Sequence, residues 1–153
     1  MQHKILAVVM MAVLAIGSMT MVWAAPLQAA GQGASLYTRL GGYDAIAAVT
    51  DDFIARLATD RQLTRFFVGL STDSQKRLRQ HFVDFLCNAT GGPCIYTGRD
   101  MKTAHTGLHI TEQDWQASVK DLTATFDKFK VPEKERADVV AAITSLKGDV
   151  VGR

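Results

Sequence analysis

Thr97-Gly98-Arg99-Asp100-Met101-Lys102-Thr103-Ala104-His105-Thr106-Gly107-Leu108 is the stretch on which the reading of this chain turns. It predicts a short helix with a loop on either side. Met101, His105 and Leu108 recur at i, i+4 and i+7, so they share one helical face. An imidazole therefore points where two apolar side chains point. A neutral imidazole on an apolar wall is either a hydrogen-bonded core residue or a ligand to a metal centre. This stretch alone leaves both readings open.

Upstream, a longer helix is predicted from about Ser71-Thr72-Asp73 to Ala89, with Leu78, Phe82, Phe85 and Leu86 as its apolar stripe. His81 lies inside that stripe, three residues after Leu78 and four before Phe85. Gly91-Gly92-Pro93 breaks the helix and leads towards the His105 segment. Two histidines thus occupy apolar faces of two helices joined by a glycine-rich loop.

The remaining periodicity is helical as well. Leu36 to Leu40 makes a short apolar turn ended by Gly41-Gly42. From Tyr43 onward Ile46, Val49, Phe53, Ile54 and Leu57 trace one face, and Asp60 is placed to cap a short turn carrying Leu63, Phe66 and Phe67. Thr111 ahead of Glu112 and Asp114 is a helix-start pattern, with Trp115, Val119, Leu122, Phe126 and Phe129 on the inner side. Val131-Pro132-Glu133 separates this helix from a last one, with the proline expected in its first turn and Val139, Val140, Ile143, Leu146 and Val150 on its inner face. No alternating run of strand length occurs, so the fold class is all-α.

The 153 residues hold one domain with a real core once the leader is set aside. Lys4 gives a positive start, Ile5 to Ile16 is an unbroken apolar run, and Val22-Trp23-Ala24 carries small residues at the cleavage-determining places. Residues 1–24 are therefore expected to be a signal peptide, with an uncleaved membrane anchor as the alternative. Cleavage after Ala29 is a second choice to cleavage after Ala24. Residues 25–34 are small and polar, a linker, and 35–153 form the domain. Either way the domain leaves the cytoplasm, the bacterial periplasm being the expected destination. Membrane contact is expected only if the leader stays attached. In an oxidising compartment Cys87 and Cys94, separated by a helix end and a tight turn, are expected to form a disulfide. Net charge is +2 with no basic run, so nothing points to nucleic acid as a partner.

Two inward imidazoles suggest a planar group held between them, and haem iron is the obvious candidate. Cys-x-x-Cys-His is absent, so attachment would be non-covalent. Zinc needs three or four protein ligands, and no carboxylate or cysteine is placed in sequence with His81 and His105. His109 follows His105 by four, but Gly107 should end the helix between them, leaving His109 in a loop. His3 belongs to the leader.

The ordered set Leu36-Tyr37, Leu40-Gly41-Gly42, Asp52-Phe53, Phe66-Phe67, Gly91-Gly92-Pro93, Tyr96-Thr97-Gly98 and Met101-Lys102-x-x-His105 resembles the group I truncated haemoglobins. These are shortened globins with a two-over-two helical sandwich, and the resemblance covers about Ser35 to Gly152. It implies haem b as cofactor, His105 as the proximal iron ligand and Phe67 against the haem face. Leu78, His81 and Phe82 fall on the distal helix, where His81 matches the position of an internal sixth ligand in some relatives. Phe53, Ile54, Met101 and Tyr96 complete the expected haem contacts. Any helical core could hold Phe67, Leu78 and Phe82, and His81 could instead turn to solvent or a haem propionate. The family often has tyrosine where this chain has Ile54, which can donate no hydrogen bond. Its distal glutamines are replaced by Leu78 and Phe82, and the spacing of Gln80 puts it off the inner face.

The resemblance implies reversible binding of a diatomic gas (O2, CO or NO), of the oxygen-binding or transport class. An enzyme doing nitric oxide dioxygenation or peroxidase-like chemistry is the alternative. That alternative needs an electron donor, since the chain has no flavin or nicotinamide motif of its own. A haem-free exported helical adaptor is the third reading.

Overall fold

A computed structural model describes residues 33–153. The expected leader 1–24, and the linker up to residue 32, lie outside the described residues. Within them the chain forms seven helices and no strand: α1 (Leu36–Arg39), α2 (Gly42–Thr59), α3 (Thr72–Ala89), α4 (Met101–His105), α5 (Glu112–Phe129), α6 (Glu133–Ser145) and α7 (Lys147–Val150). A single 3₁₀ turn, Thr64–Phe66, links α2 to α3. No described helix is long and apolar enough to cross a membrane.

The helix boundaries follow from caps that the sequence carries. Ser35 accepts from the Thr38 N–H, Ser71 from Ser74, and Asp100 from Thr103, each satisfying an orphan donor of a first turn. Asp60 Oδ1 accepts from the N–H groups of Gln62 (2.7 Å) and Leu63 (3.1 Å), fixing the bend after α2. Thr111 and Asp114 form a reciprocal capping box at α5. Two junctions differ from expectation. Lys130, at φ 52°, ends α5 in a left-handed conformation, and Pro132 serves as the N-cap of α6 rather than its first-turn residue. The last helix is interrupted at Leu146, whose N–H bonds three residues back to Ile143 O and so over-tightens the turn before α7.

α2 organises the packing because it contacts both α3 and α5. Towards α3, Ile46 and Ala47 pack with the fully buried Val83. On the other side Val49 and Phe53 pack on a cluster of Leu122, Phe126 and Val139 from α5 and α6. One helix pair, α2 and α3, therefore lies across a second, α5 and α6. Truncating Phe126, 3 % exposed, to alanine would cost about 3–5 kcal/mol. A polar pin holds the same layers. Asp52 of α2 accepts from Thr125 Oγ1 (3.0 Å) on α5 and pairs with Lys128 and with Arg56. The Lys128 and Arg56 hydrogen bonds outweigh burial and hold the Asp52 carboxyl down at about 2.

Two ties govern the region around α4. Cys87, buried at the end of α3, is bonded to Cys94 at 2.02 Å, with Cα atoms 5.7 Å apart. Gly92 sits under the tie: a Cβ there would lie 2.5 Å from the Tyr37 ring and 2.7 Å from Cys87 Sγ. On the other side, α7 packs against α4. The His109 N–H donates to Arg153 O and the Gly152 N–H to Ile110 O, both at 2.9 Å.

Candidate functional site

The helices surround a cavity of about 830 Å³, lined by residues of α2, α3, α4 and α5 with further side chains from α6 and α7. That volume is in the upper part of the ~300–1,000 Å³ range of cofactor pockets. His105 and Met101 reach it from α4, and Leu78, His81 and Phe82 from α3. Phe53 enters from α2, Phe67 from the turn before α3, and Tyr96 from the loop before α4. Phe53 and Phe82 meet edge to face, centroids 6.4 Å apart.

Ile54 is the exception among the expected contacts. One step round α2 from Phe53, it lines a separate, smaller cavity of about 210 Å³ that shares Phe67 and Leu78 with the large one. The structure thus removes Ile54 from the main cavity wall, because adjacent helical residues diverge by about 100°. Leu108 also differs: α4 ends at His105, so Leu108 lines the cavity from the turn beyond the helix and is 42 % exposed. His109 is an exposed loop residue with φ 51° and does not line the cavity. Gln80, as its spacing implies, faces outward and bonds Tyr43 Oη and Asp84.

The two imidazoles are held differently. His105 Nδ1 lies 2.7 Å from Met101 O, one turn back on α4. A carbonyl only accepts, so Nδ1 carries the proton and Nε2 is left with its lone pair. That is the arrangement of a metal-binding histidine, oriented by its second nitrogen. His81 Nδ1 is buried and has no hydrogen-bond partner. Its ring meets the Tyr96 ring edge-on, centroids 6.1 Å apart at 81°. Between Leu78 and Phe85, His81 is the only polar side chain that α3 turns into the cavity.

Polar groups at the margin complete the site. Arg77 of α3 and Arg99 before α4 both line the cavity, and neither forms an ion pair among the described residues. Arg77 makes only a long contact to Ser74 Oγ, 3.4 Å. Neither is among the residues expected from the sequence, although Arg77 stands one residue before the inward Leu78 and four before His81, and Arg99 at the mouth of the α4 loop. Asp114, 1 % exposed, accepts from Gln62 Nε2 (3.0 Å), Arg65 Nη2 (2.6 Å), Thr111 N (2.8 Å) and Thr111 Oγ1 (2.7 Å). Burial alone would raise this carboxyl, but those four donors overcome it and hold the group well below the carboxylate range. Burial also pushes the Tyr96 phenol up, with the Asp100 charge adding to it.

A large apolar cavity between an oriented imidazole and an unpaired one, in an all-helical two-over-two fold, defines a haem-pocket protein of globin type. The comparisons agree. The model of the bacterial-like globin family matches residues 35–151. A group 1 truncated hemoglobin of Mycolicibacterium paratuberculosis is 33 % identical over 117 residues, 76 % of this chain and 84 % of that one. The truncated hemoglobin of Tetrahymena pyriformis in its Fe(III) form superimposes with a TM-score of 0.71 at 27 % identity, covering 78 % of this chain and all of that one. The 2/2 hemoglobin of a Synechococcus species, in the cyanomet state with covalently attached heme, gives 0.70 at 29 % over the same shares. This chain belongs to the bacterial-like globins, as a group 1 truncated haemoglobin. Its cofactor is haem, and the cavity, the Nε2 lone pair and the marginal arginines fit that group.

Proposed function

We propose that the protein is an exported haem protein that binds a diatomic gas reversibly, with His105 as proximal ligand and His81 as an internal sixth ligand. The observation that carries the assignment is the Nδ1–H of His105 bonded to Met101 O, which commits Nε2 to the cavity. Haem, when bound, would supply an iron able to bind protein nitrogen donors and a small gas. Every other feature is the chain's own. Phe53, Phe67, Leu78 and Phe82 give the porphyrin an apolar slot that excludes water. Arg77 and Arg99 stand free to pair with its carboxylates. His81 has no competing hydrogen bond at Nδ1 and faces the same space.

The distal wall supports gas binding over oxygen-dependent chemistry. Leu78 and Phe82 donate nothing, and Ile54 lies outside the wall, so His81 is the one side chain from Leu78 to Phe85 able to steady a polar ligand. Export rests on the leader in the sequence, and the Cys87–Cys94 bridge supports it. The test is spectroscopic: protein purified with haem available, recorded in ferric, ferrous and CO-bound forms. One haem per chain, a largely low-spin ferric form at neutral pH and a CO-shifted Soret band are expected. A chain that takes up no haem overturns the reading, and a high-spin ferric form untouched by His81→Leu removes the sixth ligand from it.

A further inference from the structure

An imidazole with no hydrogen bond at its buried nitrogen needs something else to set its ring. The His81 ring is flanked by Tyr96, whose edge meets it at 6.1 Å and meets Phe85, one turn further along α3, at 5.3 Å and 73°. Tyr96 is itself fixed from three directions. Its hydroxyl donates to Arg99 O at 2.6 Å. Gly98 leaves room for it: a Cβ at that position would lie 2.3 Å from Tyr96 Oη and 2.4 Å from its ring. Two residues before it, Cys94 is bonded to Cys87 of α3, and Cys94 O accepts from Asn88 Nδ2 at 3.0 Å.

We infer that Tyr96 is the positioning residue for His81: its anchored ring holds the imidazole in the orientation that faces the cofactor. The inference rests on the reading of His81 as sixth ligand and adds what sets its occupancy. An edge-to-face aromatic contact is worth enough to change the ratio of closed to open His81 by about 2- to 12-fold. Gly98 belongs to the same device, since any side chain there displaces the phenol without touching His81.

The experiment uses the haem-loaded protein and reads the ferric low-spin fraction and the CO association rate of the ferrous form. Tyr96→Ala is expected to lower the low-spin fraction and speed CO association within that range. Gly98→Ala, which moves the ring, and Tyr96→Phe, which keeps the ring but releases it from Arg99 O, should shift both in the same direction by less. Placed on a His81→Leu background, all three should do nothing. If they change CO association equally with and without His81, Tyr96 is only part of the pocket wall and the inference fails. Silence of all three while His81→Leu alone shifts the spectrum also overturns it and leaves the sixth-ligand reading standing. If His81→Leu itself is silent, that reading fails, and the positioning role fails with it.

Discussion

The two walls that carry the histidines are built on opposite plans. α4 has only five residues, too few to be a stable helix alone, and it is held by polar ties. Asp100 caps its start, His105 bonds back to Met101 O, and α7 with Gly152 and Arg153 clasps the loop behind it. α3 has 18 residues and a broad apolar face, and its histidine has no polar tether at Nδ1. A short element fixed by hydrogen bonds presents one geometry, whereas a long element fixed by packing leaves its polar side chain choice. The first suits a permanent ligand and the second a displaceable one.

Removing the committed side should have the largest effect. His105→Ala is expected to weaken haem retention by more than about 100-fold, beyond the 10–100-fold typical for losing a mere supporting partner. Added imidazole should restore part of it. Haem titration followed at the Soret band decides this, and unchanged retention would break the contrast between the walls.

Next comes the polar frame that ties the start of α5 to the turn after α2. Asp114→Asn removes the charge that Arg65, Gln62 and Thr111 converge on, and about 2–3 kcal/mol of stability is expected to go, the half-exposed Arg65 keeping the loss at the low end. Because the folded pKa of Asp114 is depressed, its contribution is complete above about pH 4 and is lost as pH falls through the depressed value. Urea unfolding across that window should show a flatter acid limb in the variant. An unaltered limb would mean that the carboxylate is not the source of the rigidity.

Reducing the Cys87–Cys94 bond acts on the α3 side and its junction with the loop. The closed loop spans only seven positions, so about 1–3 kcal/mol is expected. Thiol labelling of the denatured chain should find no thiol before reduction and two after it, with the unfolding midpoint falling in step. Two thiols before reduction would remove the tie from the comparison.

The smallest effect sharpens the comparison most. His81→Leu should convert the ferric form towards high-spin. If the free site is open about one tenth of the time, CO association should accelerate about tenfold. Stopped-flow mixing measures it, and an unchanged rate would make the α3 wall as fixed as the α4 wall.

Much of this was legible in residue order. The helix starts at Ser71, Asp100 and Thr111 are written in side-chain chemistry that acts within three or four residues. His81 and His105 fell on inward faces because helical periodicity is local. What escaped depends on contacts far apart or on backbone detail. The break at Leu146 reflects a tightened hydrogen bond, and the placement of Ile54 in the smaller cavity depends on which neighbours α2 meets in the fold. Phe129, assigned to the inner face of α5, lines the cavity yet is 38 % exposed, because the helix ends just after it. The positions of Arg77 and Arg99 could be read from the sequence but their freedom from ion pairs could not, and Tyr96 gains its role only when the loop folds back on α3.

The backbone bonds that join His109 to Arg153 and Gly152 to Ile110 have a consequence for how the molecule comes apart. α4 cannot swing away without releasing α7, so the two open as one cooperative unit. Amide exchange at Gly152 and at the residues of α4 should then share a single opening free energy. The wall that carries His105 is then no more stable than the hold of the last few residues of the chain.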